Sequence, residues 1–85
     1  MKKRIPYLFY KRGDYINNPK INQLVWCCYS NYIDMRVVII TGGSYMRWCW
    51  KEVFEDGTLG NEESGSGHFY QYYGNYSIET KVILK

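Results

Sequence analysis

Met35-Arg36-Val37-Val38-Ile39-Ile40-Thr41-Gly42-Gly43-Ser44-Tyr45-Met46-Arg47-Trp48-Cys49-Trp50-Lys51-Glu52-Val53-Phe54 is the stretch that decides the fold. Its first third is short, β-branched and apolar on both faces, which is the pattern of a central strand. Met35 to Thr41 is read as that strand. Gly42-Gly43 then reads as a tight turn, because glycine accepts positive φ freely. Tyr45 to Phe54 returns with a period of two. Met46, Trp48, Trp50 and Phe54 fall on one face, and Tyr45, Arg47, Cys49, Lys51 and Val53 on the other. The Trp face is expected to point into a core.

Working outward, the flanks carry the same character. Tyr7 to Arg12 is an aromatic run between Pro6 and Gly13 and reads as a strand, followed by turn signals at Gly13-Asp14 and Asn17-Asn18-Pro19. Residues 20–34 admit two readings. Asn18 and Pro19 could open a helix over about 19–32, with Ile21, Leu24, Val25, Cys28 and Tyr32 on one stripe. Val25-Trp26-Cys27-Cys28-Tyr29 is better strand material, which favours a strand from about Gln23 to Ser30. Glu55 to Gly67 holds four glycines, two serines and several acids. It has too few apolar groups to offset its ordering entropy, so a flexible acidic loop is expected at about 55–67. His68 to Tyr73 and Tyr76 to Leu84 read as a hairpin turning through Gly74-Asn75.

The fold class that follows is all-β, a small antiparallel five- or six-stranded barrel-like domain. A single layer cannot bury both faces of so apolar a sheet, so it must curl or pack on itself. The alternative is α+β with one helix at about 19–32. Gly13-Asp14-Tyr15, Val37–Ile40 and Trp48–Phe54 follow one another in a layout that resembles SH3-like barrels. The resemblance covers about half the chain, has no diagnostic motif, and implies a fold only. Eighty-five residues make one domain, 1–85, with Trp48, Trp50, Val37, Ile39, Ile78 and Val82 expected in its core.

Charge is bipolar along the chain. Residues 1–20 carry six cations and one acid, whereas residues 52–63 carry five carboxylates and no cation. Such asymmetry suits a charged partner or head-to-tail self-association. No apolar run approaches the ~20 residues of a membrane helix. The basic start is broken by Pro6, Lys11, Arg12 and Asp14, so no signal segment is expected and the chain reads as cytoplasmic.

The chemistry-bearing residues are few. Cys27, Cys28 and Cys49 are odd in number, which fits reduced buried thiols better than a disulfide framework. Zinc would need Cys27, Cys28, Cys49 and His68 to converge, but adjacent cysteines on a strand point to opposite faces. No metal or cofactor is expected. A Cys49–His68 nucleophile pair has nothing in the sequence to require it. Gly65-Ser66-Gly67 lacks the Lys and the setting of a phosphate loop. The protein therefore reads as a non-enzyme.

Binding is the remaining class. Ten tyrosines, three tryptophans and three phenylalanines give a chain rich in rings that pair an apolar body with a polar tip. The expected surface combines Tyr45, Arg47 and Lys51 with Tyr70, Tyr72 and Tyr73, tuned by Glu62 and Glu63. Interface centres are enriched in Tyr, Trp and Arg, so the first expectation is a partner protein. Codons for Lys, Asn, Ile and Tyr are AT-rich, which fits a low-GC bacterium or its phages and plasmids. A phage or mobile-element accessory protein that inhibits or modulates a host protein is the reading that results. The alternative is a nucleotide or single-stranded nucleic acid held by ring stacking and cations. No membrane partner is expected.

Overall fold

A computed structural model of the chain describes residues 3–29, 34–44 and 46–73. Within them six strands form one antiparallel sheet. They are β1 Arg12–Ile16, β2 Leu24–Cys28, β3 Arg36–Ser44, β4 Arg47–Val53, β5 Leu59–Gly65 and β6 His68–Tyr72. Their spatial order is β1-β6-β2-β3-β4-β5. The chain is all-β, with a 3-10 turn at Phe9–Lys11 and, among the described residues, no helix long and apolar enough to cross a membrane.

The sheet is open but strongly curled. β5 is an edge strand and β6 lies four strand spacings away, which is ~19 Å in a flat sheet. Only Ser66 and Gly67 join them, and that short link reaches ~10 Å at full extension. The sheet must bend to bring the two ends together. Gly67 shows the contact: a Cβ there would sit 3.2 Å from Cys27 Sγ and 3.4 Å from the Trp50 ring.

Both faces of the central strands are buried, and each has its own cluster. Val25, Cys27, Val38, Ile40, Trp50 and Phe69 fill the inside of the curl. Leu24, Trp26, Cys28, Val37, Ile39, Val53 and Tyr72 fill the other side, where Ile5 and Tyr7 lie over them. Trp26 anchors that second cluster edge-to-face between Tyr7 at 5.1 Å and Tyr72 at 5.3 Å. Its indole N–H donates to the Lys11 carbonyl at 3.2 Å, so its polar atom is satisfied.

The double core explains several departures from the sequence expectation. Val37, Ile39 and Trp50 are buried as expected, and Trp48 is half-buried. Ile78 and Val82, like the second arm of the expected hairpin, lie outside the described residues. The first arm is β6, which is flanked by β1 and β2. Val53, assigned to the outward face of β4, is fully buried because that face has a cover of its own. Met46, assigned to the core, is exposed at the tip of the β3–β4 hairpin.

That tip is not at Gly42-Gly43. The two glycines continue β3 and pair with Cys49 and Trp48, so the turn falls between Ser44 and Arg47. Gly43 is required by close approach. Its φ is 103°, and a Cβ would stand 2.4 Å from the Arg47 carbonyl oxygen.

Residues 19–29 contain a turn and β2, so the alternative helix does not form there. β-branched and aromatic side chains packed on both faces outweigh the Asn-Pro start signal. The N-terminal strand also sits later than expected. Tyr7 turns inward onto Trp26, a 3-10 turn reverses the chain at Lys11 N–H to Leu8 C=O, and pairing begins only at Arg12. Gly13-Asp14 is therefore inside β1. The Tyr73 ring lies across Gly13, where an added Cβ would meet it at 2.7 Å.

The expected loop at 55–67 is the largest correction. A tight turn closed by Phe54 and Thr58 leads directly into β5. The strand is polar because it is an edge, and edges tolerate charge. Its order comes from pairing with β4 and from side chains that reach inward. Thr41 donates to Glu62 at 2.9 Å, Tyr29 donates to Glu63 at 3.3 Å, and Arg36 lies 3.7 Å from Glu63.

Candidate functional site

Three segments far apart in sequence meet at one end of the curl and leave a cleft of about 240 Å³. The end of β1 brings Tyr15 and Asn17. The β3–β4 hairpin brings Met46 and Trp48. The β5–β6 link and the start of β6 bring Ser66, Gly67, His68 and Phe69. Phe69 is buried and belongs to the inner core, while Tyr15 and Met46 are exposed. The wall is therefore continuous with the core at its base and open to water at its rim. Among the described residues no lysine, arginine, aspartate or glutamate lines it.

A ladder of rings runs from this cleft along β1 and β6. His68 and Tyr15 lie 6.2 Å apart, Tyr15 and Tyr70 lie 5.6 Å apart edge-to-face, and the Arg12 guanidinium sits 4.6 Å over the Tyr70 ring. Register sets this spacing, since Tyr15 pairs with Tyr70 and Arg12 with Tyr72 across a bulge. Beyond Arg12 the 3-10 turn holds Phe9 and Tyr10 in solvent, their rings 6.0 Å apart.

The charge segregation seen in sequence is partly cancelled in space. Arg4 forks onto Glu52 through Nε at 2.8 Å and Nη2 at 3.3 Å. Glu63 faces Arg36, and Glu62 stands opposite Lys51 in register. Two of the five carboxylates in the acidic stretch, Glu52 and Glu63, thus meet the protein's own cations.

The expected binding residues are distributed as follows. Arg47 is exposed on the side of β4 away from Trp50, as alternation requires. Lys51 is half-buried on the same side, beside Ile39. Tyr70 is half-buried under Arg12, Tyr73 is exposed over Gly13, and Tyr72 is a core residue against Trp26. Glu62 and Glu63 belong to β5 and point to Thr41, Tyr29 and Arg36. Tyr45 lies outside the described residues. Buried Ile39 and Leu24 separate Lys51 from Tyr72, so these positions do not form one open patch. The cleft residues Tyr15, Asn17, Met46, Ser66 and Gly67 were not singled out from sequence. The one available signal was Met46, an apolar residue beside a hairpin turn where Asn or Gly is usual.

The three cysteines are free. Cys27 faces the inner cluster and Cys28 the outer, so the two thiols diverge. Burial first, and the neighbouring Cys28 second, push the Cys27 thiol up from 9.0 to about 12. Burial also raises Cys28, and burial followed by the Glu63 carboxylate raises Tyr29. Cys49 does not line the cleft with His68. Among the described residues no three of His, Cys, Asp and Glu converge on a point that could hold a metal.

No protein-family model matches the chain, and no curated protein or solved structure matches it.

Proposed function

We propose that this protein works by binding a partner protein and has no catalytic role of its own. The observation that carries the reading is the set of large apolar side chains held in water at both ends of β1 and at the β3–β4 turn. Phe9 is 78% exposed, Tyr10 and Met46 are each 67% exposed, and Tyr15 and Tyr73 are more than half exposed. A domain of this size has little apolar surface to spare from its core, so leaving five large apolar side chains outside costs stability that binding can recover. Arg12 and Arg47 among them supply the planar cations that protein interfaces favour. In biological terms this fits an accessory protein of a phage or mobile element that occupies a host protein in the host cytoplasm.

A specific observation favours a second reading. The Arg12–Tyr70–Tyr15–His68 ladder has the ring-and-cation composition that holds single-stranded nucleic acid or a nucleotide.

One experiment addresses both. The tagged protein is passed over lysate of a low-GC bacterium beside a Phe9→Ser/Tyr10→Ser variant, and the 260/280 nm absorbance ratio of each is recorded. A single stoichiometric protein retained by the parent and lost by the variant supports the first reading. Copurifying nucleic acid that Arg12→Glu releases, with no such protein, replaces it with the second.

A further inference from the structure

We propose that residues 3–8 form an exchangeable arm, and that two copies of this chain pair by seating each arm in the other's groove. The inference goes beyond the reading above and stands whether or not a different partner protein is found.

The arm sits on its own sheet as a ligand would. It belongs to no strand ladder. Pro6 has no N–H to give, and Arg4 makes only an isolated bridge to Phe54, beside which the Glu55 N–H donates to the Lys3 carbonyl at 2.9 Å. Side chains hold the rest. Arg4 forks onto Glu52, Ile5 is buried in the outer cluster with Val53 and Trp26, and Tyr7 meets the Trp26 ring edge-on at 5.1 Å. Glu52 has only 7% of its side chain exposed, so an empty groove would leave a buried carboxylate without its cation. It would also open the apolar cluster around Trp26 to water. The groove must be filled, and its present occupant defines the complement: an arginine, then an aliphatic residue, then a ring three positions after the arginine. A second copy carries that segment.

The link between arm and body is built as a hinge. Leu8 and Arg12 are both extended, with φ and ψ of −126° and 116°, and −100° and 130°. The 3-10 turn between them has no buried residue and no side-chain cap. The Lys11 N–H donating to the Leu8 carbonyl at 2.8 Å and the Arg12 N–H donating to the Phe9 carbonyl close it. The far side of the turn is fixed, because the Lys11 carbonyl accepts from the Trp26 indole and from the Tyr73 N–H. The change of direction is therefore confined to Phe9 and Tyr10. Straightened, Leu8 to Lys11 spans ~10 Å and carries the arm away from its own groove. Short hinges of this kind are where domain swapping starts.

The hinge also supplies the reason to exchange. The arm makes the same contacts in either groove, so those contacts favour neither state. Phe9 and Tyr10 do favour one. They are 78% and 67% exposed in the closed form, with their rings 6.0 Å apart. In an exchanged pair the two hinges cross side by side about the two-fold axis, and the rings of both copies leave water together. Lys11 of each copy opposes this by like charge at the crossing, so added salt should favour the pair.

The test unfolds isotope-labelled and unlabelled full chain together in urea and refolds the mixture at millimolar concentration in high salt. The expected result is a dimer by light scattering, with isotope-filtered NOEs joining Tyr7 of one copy to Trp26 of the other. Phe9→Ser/Tyr10→Ser should weaken the dimer about tenfold or more and return the Tyr7–Trp26 contact to a single chain. Arg4→Glu and Glu52→Arg, each impaired alone, should form a one-to-one heterodimer on mixing, because exchange matches each arm to a groove of opposite charge and closure matches neither. A chain that stays monomeric after joint refolding, with Tyr7–Trp26 NOEs only within one copy, overturns the proposal. So does a dimer that lacks the inter-copy NOE, which pairs through another surface, and so does one indifferent to the serine pair. The labelled parent chain decides the matter even where Glu52→Arg does not fold.

Discussion

Trp50 should tolerate loss of its indole nitrogen far better than loss of its ring. It is fully buried at the centre of the inner cluster, 5.5 Å from Phe69 and 5.9 Å from Tyr29. Its Nε1 is buried with no hydrogen-bond partner among the described residues. Such an orphan donor costs ~1–3 kcal/mol. Replacing Trp50 by Phe removes that cost and opens a void of about 40 Å³, worth ~1 kcal/mol at ~24 cal/mol per Å³. Lost apolar burial adds about 1 kcal/mol. The terms nearly cancel, and Trp50→Phe should fall within ~1 kcal/mol of the parent. Trp50→Ala gains the same relief but loses the whole ring, at ~3–5 kcal/mol. For a chain this short that is a large share of a total near 4–13 kcal/mol, taking ~0.05–0.15 kcal/mol per residue. Urea unfolding followed by far-UV circular dichroism measures both, since the probe does not depend on the tryptophan removed. If Trp50→Phe loses ~3 kcal/mol with an unchanged m-value, the nitrogen has a partner and the reasoning fails.

The Arg4–Glu52 pair should respond asymmetrically to mutation. Glu52 has 7% of its side chain exposed and Arg4 46%, so Arg4→Ala strands a buried carboxylate at ~2–3 kcal/mol, while Glu52→Gln releases Arg4 to water at ~1 kcal/mol; equal losses in urea melts would contradict this. A thiol reagent on the native protein should modify half-buried Cys49 alone, with Cys27 and Cys28 reacting only after denaturation; fast reaction at more than one site would show that the curl opens readily. Stability should be full below about pH 9 and fall as pH rises toward 12, because the fold holds the Cys27 proton more tightly than the unfolded chain does. The slope for that thiol is ~1.4 kcal/mol per pH unit, or about 2–3 kcal/mol lost by pH 11. Cys27→Ala should remove that part of the decline, leaving the shallower share from Cys28 and Tyr29; an unchanged decline would mean other groups drive it.

The central hairpin was legible because its residues obey local rules that the tertiary structure also obeys. Val37–Ile40 are apolar on both faces and lie mid-sheet, and alternation correctly set Arg47 opposite Trp50. What sequence missed depended on partners far along the chain. Asn61, Glu62 and Glu63 look like loop by composition, yet Trp50, Lys51 and Thr41 order them. Tyr72 looks like surface until Ile5 and Tyr7 are seen to cover its face. The Gly42-Gly43 pair looks like a turn, but the irregularity between Ile40 and Gly42 carries the strand past it. The same holds for the cleft. Its residues come from positions 15–17, 46–48 and 66–69, and only the curl of the sheet makes them neighbours.

The strand order has a consequence for how the molecule is made. β2 to β5 pair in the order in which they are synthesised, so each finds its neighbour as soon as it emerges. β1 does not. Among the described residues its only sheet neighbour is β6, the last of the described strands to be made, so the first strand synthesised must wait for it. Until then β2, Leu-Val-Trp-Cys-Cys with no charge and every residue destined for burial, carries an open edge. An unpaired apolar edge is a template for other chains. Arrival of His68–Tyr72 closes that edge on one side and creates the docking site for Arg12–Ile16 on the other. The tyrosine-rich strand near the end of the chain thus acts as the protein's own guard against aggregation, and nascent chains stalled before residue 68 should be the most prone to it.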